Sequence, residues 1–142
     1  MDMSPTGAGF SAFDPATLLQ VETAAVATYE ALIKRFPEEK FLTECLQGHA
    51  ERIQVLQKWL HRQGIATLPG GTDDFFTHFR PEMMTATIDH ALLHLAKCEN
   101  HLLERYSGLA GTHASGLDRI ELLTWQRLMA HALTVRLRHA LL

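Results

Sequence analysis

Counted from Leu18 in steps of four and three, the chain gives Leu18, Glu22, Ala25, Tyr29, Leu32 and Phe36. An unbroken alternation of this kind is the inward seam of a helix packed against other helices. Two of its six members are polar. The pattern recurs twice, in Leu42, Leu46, His49, Ile53, Leu56 and Leu60 and in Ile88, Leu92, Leu95, Glu99, Leu102, Tyr106 and Leu109; a fourth row at helical spacing, without strict alternation, is Ile120, Thr124, Leu128, His131 and Val135. A bare carboxylate or imidazole in an apolar core costs several kcal/mol, so each must be paired, hydrogen-bonded or metal-bound. The sequence therefore predicts four helices around a polar centre. In each half of the chain a Glu is followed seven residues on by a Tyr, and later by a His.

The helix boundaries are punctuated in the usual way. Asp14-Pro15 reads as an N-cap followed by a first-turn proline. Pro37 starts the second helix, with Glu38 and Glu39 complementing its dipole, and Gly64 closes it. The first two helices are so closely joined that they form an antiparallel hairpin. Residues 66–80, with the turn Pro69-Gly70-Gly71, are the longest interruption, and Phe75, Phe76 and Phe79 anchor a short helical piece there. Pro81 opens the third long helix; Ser115 to Asp118 is a partial capping box for the fourth. No strand-type alternation competes. The expected architecture is all-α: a tail over residues 1–13, then one up-down four-helix bundle over 14–142, as two hairpins with a longer crossover.

Composition narrows the function. A net charge of -3 with scattered Lys and Arg leaves no basic footprint for nucleic acid or an acidic membrane surface. No stretch approaches the roughly 18 apolar residues that span a bilayer. Residues 1–11 lack the basic start and apolar run of a secretory signal. Cys45 and Cys98 are too few for a disulfide framework and read as reduced thiols in a cytoplasmic protein. Neither sits in a nucleophile motif, and no catalytic residue is assigned. His90 and His94, four apart with His101 beyond them, could grip zinc but lack a third ligand and read as a polar flank or an oligomer contact.

Glu22, His49, Glu99 and His131, one from each long helix, make a sensible ligand set for Fe, Mn or Zn. Tyr29 and Tyr106 lie two turns along from the acids. Each is placed to hydrogen-bond the carboxylate of the opposite hairpin and orient it. If the last helix starts late, Gln126 or Thr124 faces Glu99 instead of His131. The alternative to a metal is a network in which the acids bond Tyr and His directly, which would fix the helix register.

The Glu-x6-Tyr spacing of VETAAVATY and ENHLLERY, on the first and third helices, resembles the ferritin-like superfamily, especially rubrerythrin and bacterioferritin. The resemblance covers Asp14 to Leu142 and implies that Glu22 and Glu99 match the terminal carboxylates of a di-iron site, with His49 and His131 its imidazoles. The family's bridging acids come from Glu-x-x-His motifs; the matching positions here are Leu46 and Leu128, and no Glu-x-x-His occurs in the chain. Two metals about 3.5–4 Å apart then have little to share. Two functions follow. One is a reduced, single-metal centre doing redox or oxygen/peroxide chemistry. The other is a non-enzymatic helical interaction module with a metal-free network, self-associating as a homodimer or other homo-oligomer, with Trp59 and Trp125 available for the contact.

Overall fold

The computed structural model describes residues 15–65, 74–110 and 117–141, with only the backbone described at 109, 110, 119 and 139–141. The protein is all-α: α1 Pro15–Arg35, α2 Lys40–Arg62, α3 Phe75–Thr85, α4 Ile88–Ala110 and α5 Arg119–Leu141. No helix is long and apolar enough to cross a membrane among the described residues. The expected tail over 1–13, the Asp14 cap, the Pro69-Gly70-Gly71 turn and Ser115 lie outside them.

α1 packs along α2 and α4 along α5, while α1 meets α4 and α2 meets α5 more lightly. The first pair is an antiparallel hairpin with a four-residue connection. Here the chain departs from expectation: Pro37 does not begin α2. It sits second in a turn closed by the Glu39 N–H donating to the Phe36 carbonyl, 3.1 Å, which suits its fixed φ. α2 then starts at Lys40 with Glu39 as an N-cap whose side chain makes no capping bond; its carboxylate accepts instead from Arg136 of α5, with Nη2 2.5 Å from Oε1. At the other end Gly64, at φ 68°, lets the Gly64 N–H reach the His61 carbonyl and the Ile65 N–H reach the Leu60 carbonyl. These are the two bonds of a Schellman cap.

Pro81 likewise does not open a long helix. It lies inside α3, a separate helix capped by Asp74, whose carboxylate accepts from the Thr77 N–H at 2.9 Å. α4 begins seven residues after Pro81, at Ile88, where Thr87 Oγ1 accepts from the His90 N–H. α3 packs on α1 and α4, burying Phe76 and Met83. Arg80 fastens it to α1 by donating to Thr28 Oγ1 (2.9 Å) and the Ala24 carbonyl (3.1 Å). Arg35 reaches back to the Met83 carbonyl (3.0 Å) and to that of Ala86.

The seams of α1 and α4 are as read: Leu18, Glu22, Ala25, Tyr29 and Leu32 are buried, as are Leu92, Leu95, Glu99, Leu102 and Tyr106. α5 is turned differently. Ile120, Leu128 and Val135 are 75%, 62% and 37% exposed, and Thr124 and His131 are exposed with them. The core takes Leu122, Gln126, Ala130, Leu133 and Leu137 instead. α5 carries apolar residues on two faces, so periodicity alone could not choose between them. Its cap is Asp118, whose side chain accepts from the Glu121 N–H at 2.9 Å.

Candidate functional site

Four helices deliver polar side chains to one fully enclosed place: Glu22 and Tyr29 from α1, His49 and Arg52 from α2, Glu99 and Tyr106 from α4, Gln126 from α5. His49 sits at the middle. Its Nδ1 is 2.5 Å from Glu22 Oε1 and its Nε2 is 2.7 Å from Glu99 Oε2. An ionised carboxylate only accepts, so with Glu22 and Glu99 both ionised each ring nitrogen is placed to donate, an arrangement that favours the imidazolium. Arg52 Nε donates to Glu22 Oε2 at 2.5 Å, and its Nη2 lies 3.4 Å from Glu22 Oε1. Nη2 is also 2.8 Å from His49 Nδ1. Two cationic donors do not bond each other; Glu22, touching both, holds them together.

The tyrosines cross over as expected. Tyr29 donates to Glu99 Oε2 at 2.5 Å, and Tyr106 donates to Glu22 Oε2. Gln126 Nε2 donates to Glu99 twice, to Oε1 at 2.8 Å and to the backbone carbonyl at 2.9 Å. All four carboxylate oxygens therefore have a protein donor. Two carboxylates, one imidazolium and one guanidinium sum to zero, which is the condition for burying so many charges.

The titration behaviour follows from that neutrality. Burial pushes the Glu22 carboxyl up, but Arg52 and His49 more than offset it and hold the group at about 2. Burial also pushes Glu99 up, and His49 with the Gln126 and Tyr29 donors brings it below the ordinary carboxylate range. For His49, burial disfavours the cation while Glu99 and Glu22 favour it, and the acids win. Burial, then the neighbouring carboxylates, push both phenols well above 10, so they stay protonated.

The site is built twice. A shift of 77 residues, the separation of Arg52 and Met129, carries Glu22 to Glu99, Tyr29 to Tyr106, His49 to Gln126 and Arg52 to Met129. The in-hairpin bonds both span 27 residues. Arg52 Nη2 and Met129 Sδ, the equivalent pair, approach to 3.8 Å.

Of the residues expected at the centre, Glu22, His49, Glu99, Tyr29, Tyr106 and Gln126 are there. His131 is not: it stands on the exposed side of α5, five residues past Gln126, because the helix buries its other face. Leu128 is likewise outside and Leu46 is half-buried at the edge of the core. Thr124 is exposed, so the late-start alternative resolves to Gln126. Arg52 was missed. The row Cys45, His49, Arg52, Leu56, Trp59 alternates by four and three as well as the row first chosen, and all five are buried. An arginine in such a row is read as solvated by default, which hid it.

Iron, manganese or zinc, expected from two carboxylates and two imidazoles, must be tested against these donors. Both His49 nitrogens and every oxygen of Glu22 and Glu99 are engaged, and the Arg52 guanidinium stands against the carboxylate that a metal cation would use. Among the described residues, no group of three or more His, Cys, Asp or Glu is arranged to hold a metal ion. As arranged, these residues do not fit a metal. Comparison of the chain with family models, with curated proteins and with solved structures gives no match.

Proposed function

We propose that this chain is a ferritin-like up-down four-helix bundle whose centre is a charge-neutral, metal-free network, and that it acts as a non-enzymatic helical interaction module. One observation carries the reading: the cationic place beside Glu22 is filled by Arg52, within 2.5 Å of the carboxylate. Glu-x6-Tyr in each half, the reciprocal Tyr–Glu bonds and the 27-residue step support the ferritin-like part. With Leu128 and His131 exposed and Leu46 only half-buried, the match of the Glu-x-x-His pairs to Leu46/His49 and Leu128/His131 gives way to the i,i+3 pairs His49/Arg52 and Gln126/Met129. The substitutions exchange metal ligands for a cation, an amide and a thioether. Such a network sets the register of the two hairpins, since each tyrosine reads the glutamate of the other. Cys45 and Cys98 are buried and unpaired, and burial raises both thiol pKa values, in keeping with inert thiols in the cytoplasm.

The test is metal analysis of protein purified without chelator, followed by thermal unfolding with added Fe(II), Mn(II) or Zn(II). The proposal expects less than about a tenth of an equivalent and no rise in Tm, since a cation that does not bind the native state cannot stabilise it. One equivalent of metal, lost in His49→Ala, would restore the single-metal centre with redox or peroxide chemistry.

A further inference from the structure

The last matched position of the internal repeat is a cation in one half and a thioether in the other. Met129 takes the place on α5 that Arg52 takes on α2, and it is half-buried where Arg52 is 1% exposed. α2 makes room for it: a Cβ added to Gly48 would meet Met129 Cε at 2.5 Å, so the bare glycine leaves a bed for the methyl group. Met129 also lines the groove of about 300 Å³ between α2 and α5, together with Cys45 and Trp125. The side chain therefore stands between an open groove and the buried guanidinium, with its Sδ 3.8 Å from Arg52 Nη2.

Arg52 arrives there short of an acceptor. Its Nε is seated on Glu22 Oε2 at 2.5 Å, but Glu22 Oε1 stands 3.4 Å from Nη2, and His49 Nδ1, at 2.8 Å, is itself placed to donate. A thioether sulfur is a weak acceptor, so among the described residues Nη2 has no short bond to a strong one. A guanidinium nitrogen so placed favours any change that makes the sulfur side chain a better acceptor, because a charge-assisted hydrogen bond is the stronger kind. Oxidation is such a change. It adds one polar oxygen to an apolar side chain.

We propose that Met129 is a modification site for peroxide, converted to the sulfoxide, and that Arg52 Nη2 receives the new oxygen. A sulfur lone pair attacks one oxygen of hydrogen peroxide; the S–O bond forms as the O–O bond breaks. The hydroxide that leaves takes the proton remaining on the transferred oxygen and becomes water. Sulfur loses two electrons and the peroxide gains them. The product sets a polarised oxygen beside the nitrogen that lacked one, while Nε keeps its seat on Glu22. Oxidation then ties α5 to α2 by a bond the reduced protein does not have, whereas oxidation of an ordinary core methionine loosens its surroundings. The inference goes beyond the proposed function, since it adds a covalent state and stands on the Arg52–Met129 contact.

The test treats the full chain with hydrogen peroxide in the presence of a chelator, maps the product by peptide mass spectrometry and unfolds it in urea. Met129 is expected to gain one oxygen at least as fast as Met84, the other half-buried methionine, while Met83, at 0% exposure, stays reduced. The urea midpoint of the oxidised protein should equal or exceed that of the reduced one; peroxide-treated Met129→Leu gives the contribution of every other methionine. Met129→Gln, whose amide carbonyl offers Nη2 an acceptor at similar reach, should unfold at higher urea than Met129→Leu. Removing the receiver reverses the sign: in the charge-balanced double variant Arg52→Met with Glu22→Gln, oxidation of Met129 should lower the midpoint. A Met129 that stays reduced while Met84 is oxidised overturns the site. A midpoint that falls as far in the wild type as in the double variant, or Met129→Gln unfolding below Met129→Leu, overturns the receiving role of Arg52. Oxidation of Met129 that occurs without chelator and stops with it overturns both this proposal and the metal-free centre.

Discussion

Replacing Arg52 with Met is the most informative perturbation of the centre. Methionine keeps most of the aliphatic length and removes the charge. Glu22 would lose the Nε bond at 2.5 Å and the longer Nη2 contact, keeping His49 and Tyr106. The centre would then carry two carboxylates against one imidazolium, a net charge of -1 with no route to water, since Glu22, His49 and Glu99 are 0% exposed. Breaking a buried pair by removing one member costs about 3–5 kcal/mol. For a domain of 142 residues that lowers Tm by roughly 8–16 °C. Urea unfolding followed by circular dichroism measures it. The double variant Arg52→Met with Glu22→Gln restores neutrality, and should recover at least about half of the loss. A single-variant cost under about 1 kcal/mol, or a double variant whose cost is the sum of the two singles, would refute the claim that Arg52 and Glu22 act as a buried pair.

Other outcomes follow from the same geometry. Tyr29→Phe and Tyr106→Phe each remove a donor to a buried carboxylate and should cost about 1.5–3 kcal/mol in urea unfolding; near-equal losses would reflect the internal repeat. Gln126→Leu should cost about 1–3 kcal/mol by stranding Glu99, whereas His131→Ala, on the exposed face, should stay within about 0.5 kcal/mol. Stability should also depend on pH from both sides. Glu22 is depressed to about 2, so its contribution is present above about pH 5 and is lost as pH falls toward 2. His49 is raised, so its contribution is complete below its unfolded value near 6.5 and is lost as pH rises through the folded value. A urea midpoint that is highest near pH 5–6.5 is the expected profile; one still rising above pH 8 would contradict it.

Much of this was legible in the chain. The all-α class, the seams of α1 and α4, and the Glu and Tyr pairs follow from spacing alone, because each of those helices has one apolar face. Where a helix has two candidate faces, spacing fails. On α5 the row through Leu128 and His131 is as regular as the row through Leu122 and Gln126. The chain did contain the means to choose: the 27-residue step from Glu22 to His49, applied to Glu99, arrives at Gln126. On α2 the bias against burying arginine hid Arg52, although it lies three residues after His49 in a regular row. The proline errors have a different origin. Pro37 suits a first helical turn but equally the second place of a tight turn, which is where it sits, whereas Pro81 stands inside α3, a position that a first-turn preference does not anticipate.

The central claim is that His49 is a cation shared by two carboxylates, with no open nitrogen for a metal. Long-range ¹⁵N–¹H NMR of the imidazole at pH 7 tests it directly. The account predicts both ring nitrogens protonated and unaffected by added Zn(II) or Mn(II). A His49 ring with one lone-pair nitrogen, or one whose signals move or vanish stoichiometrically with metal, would contradict it.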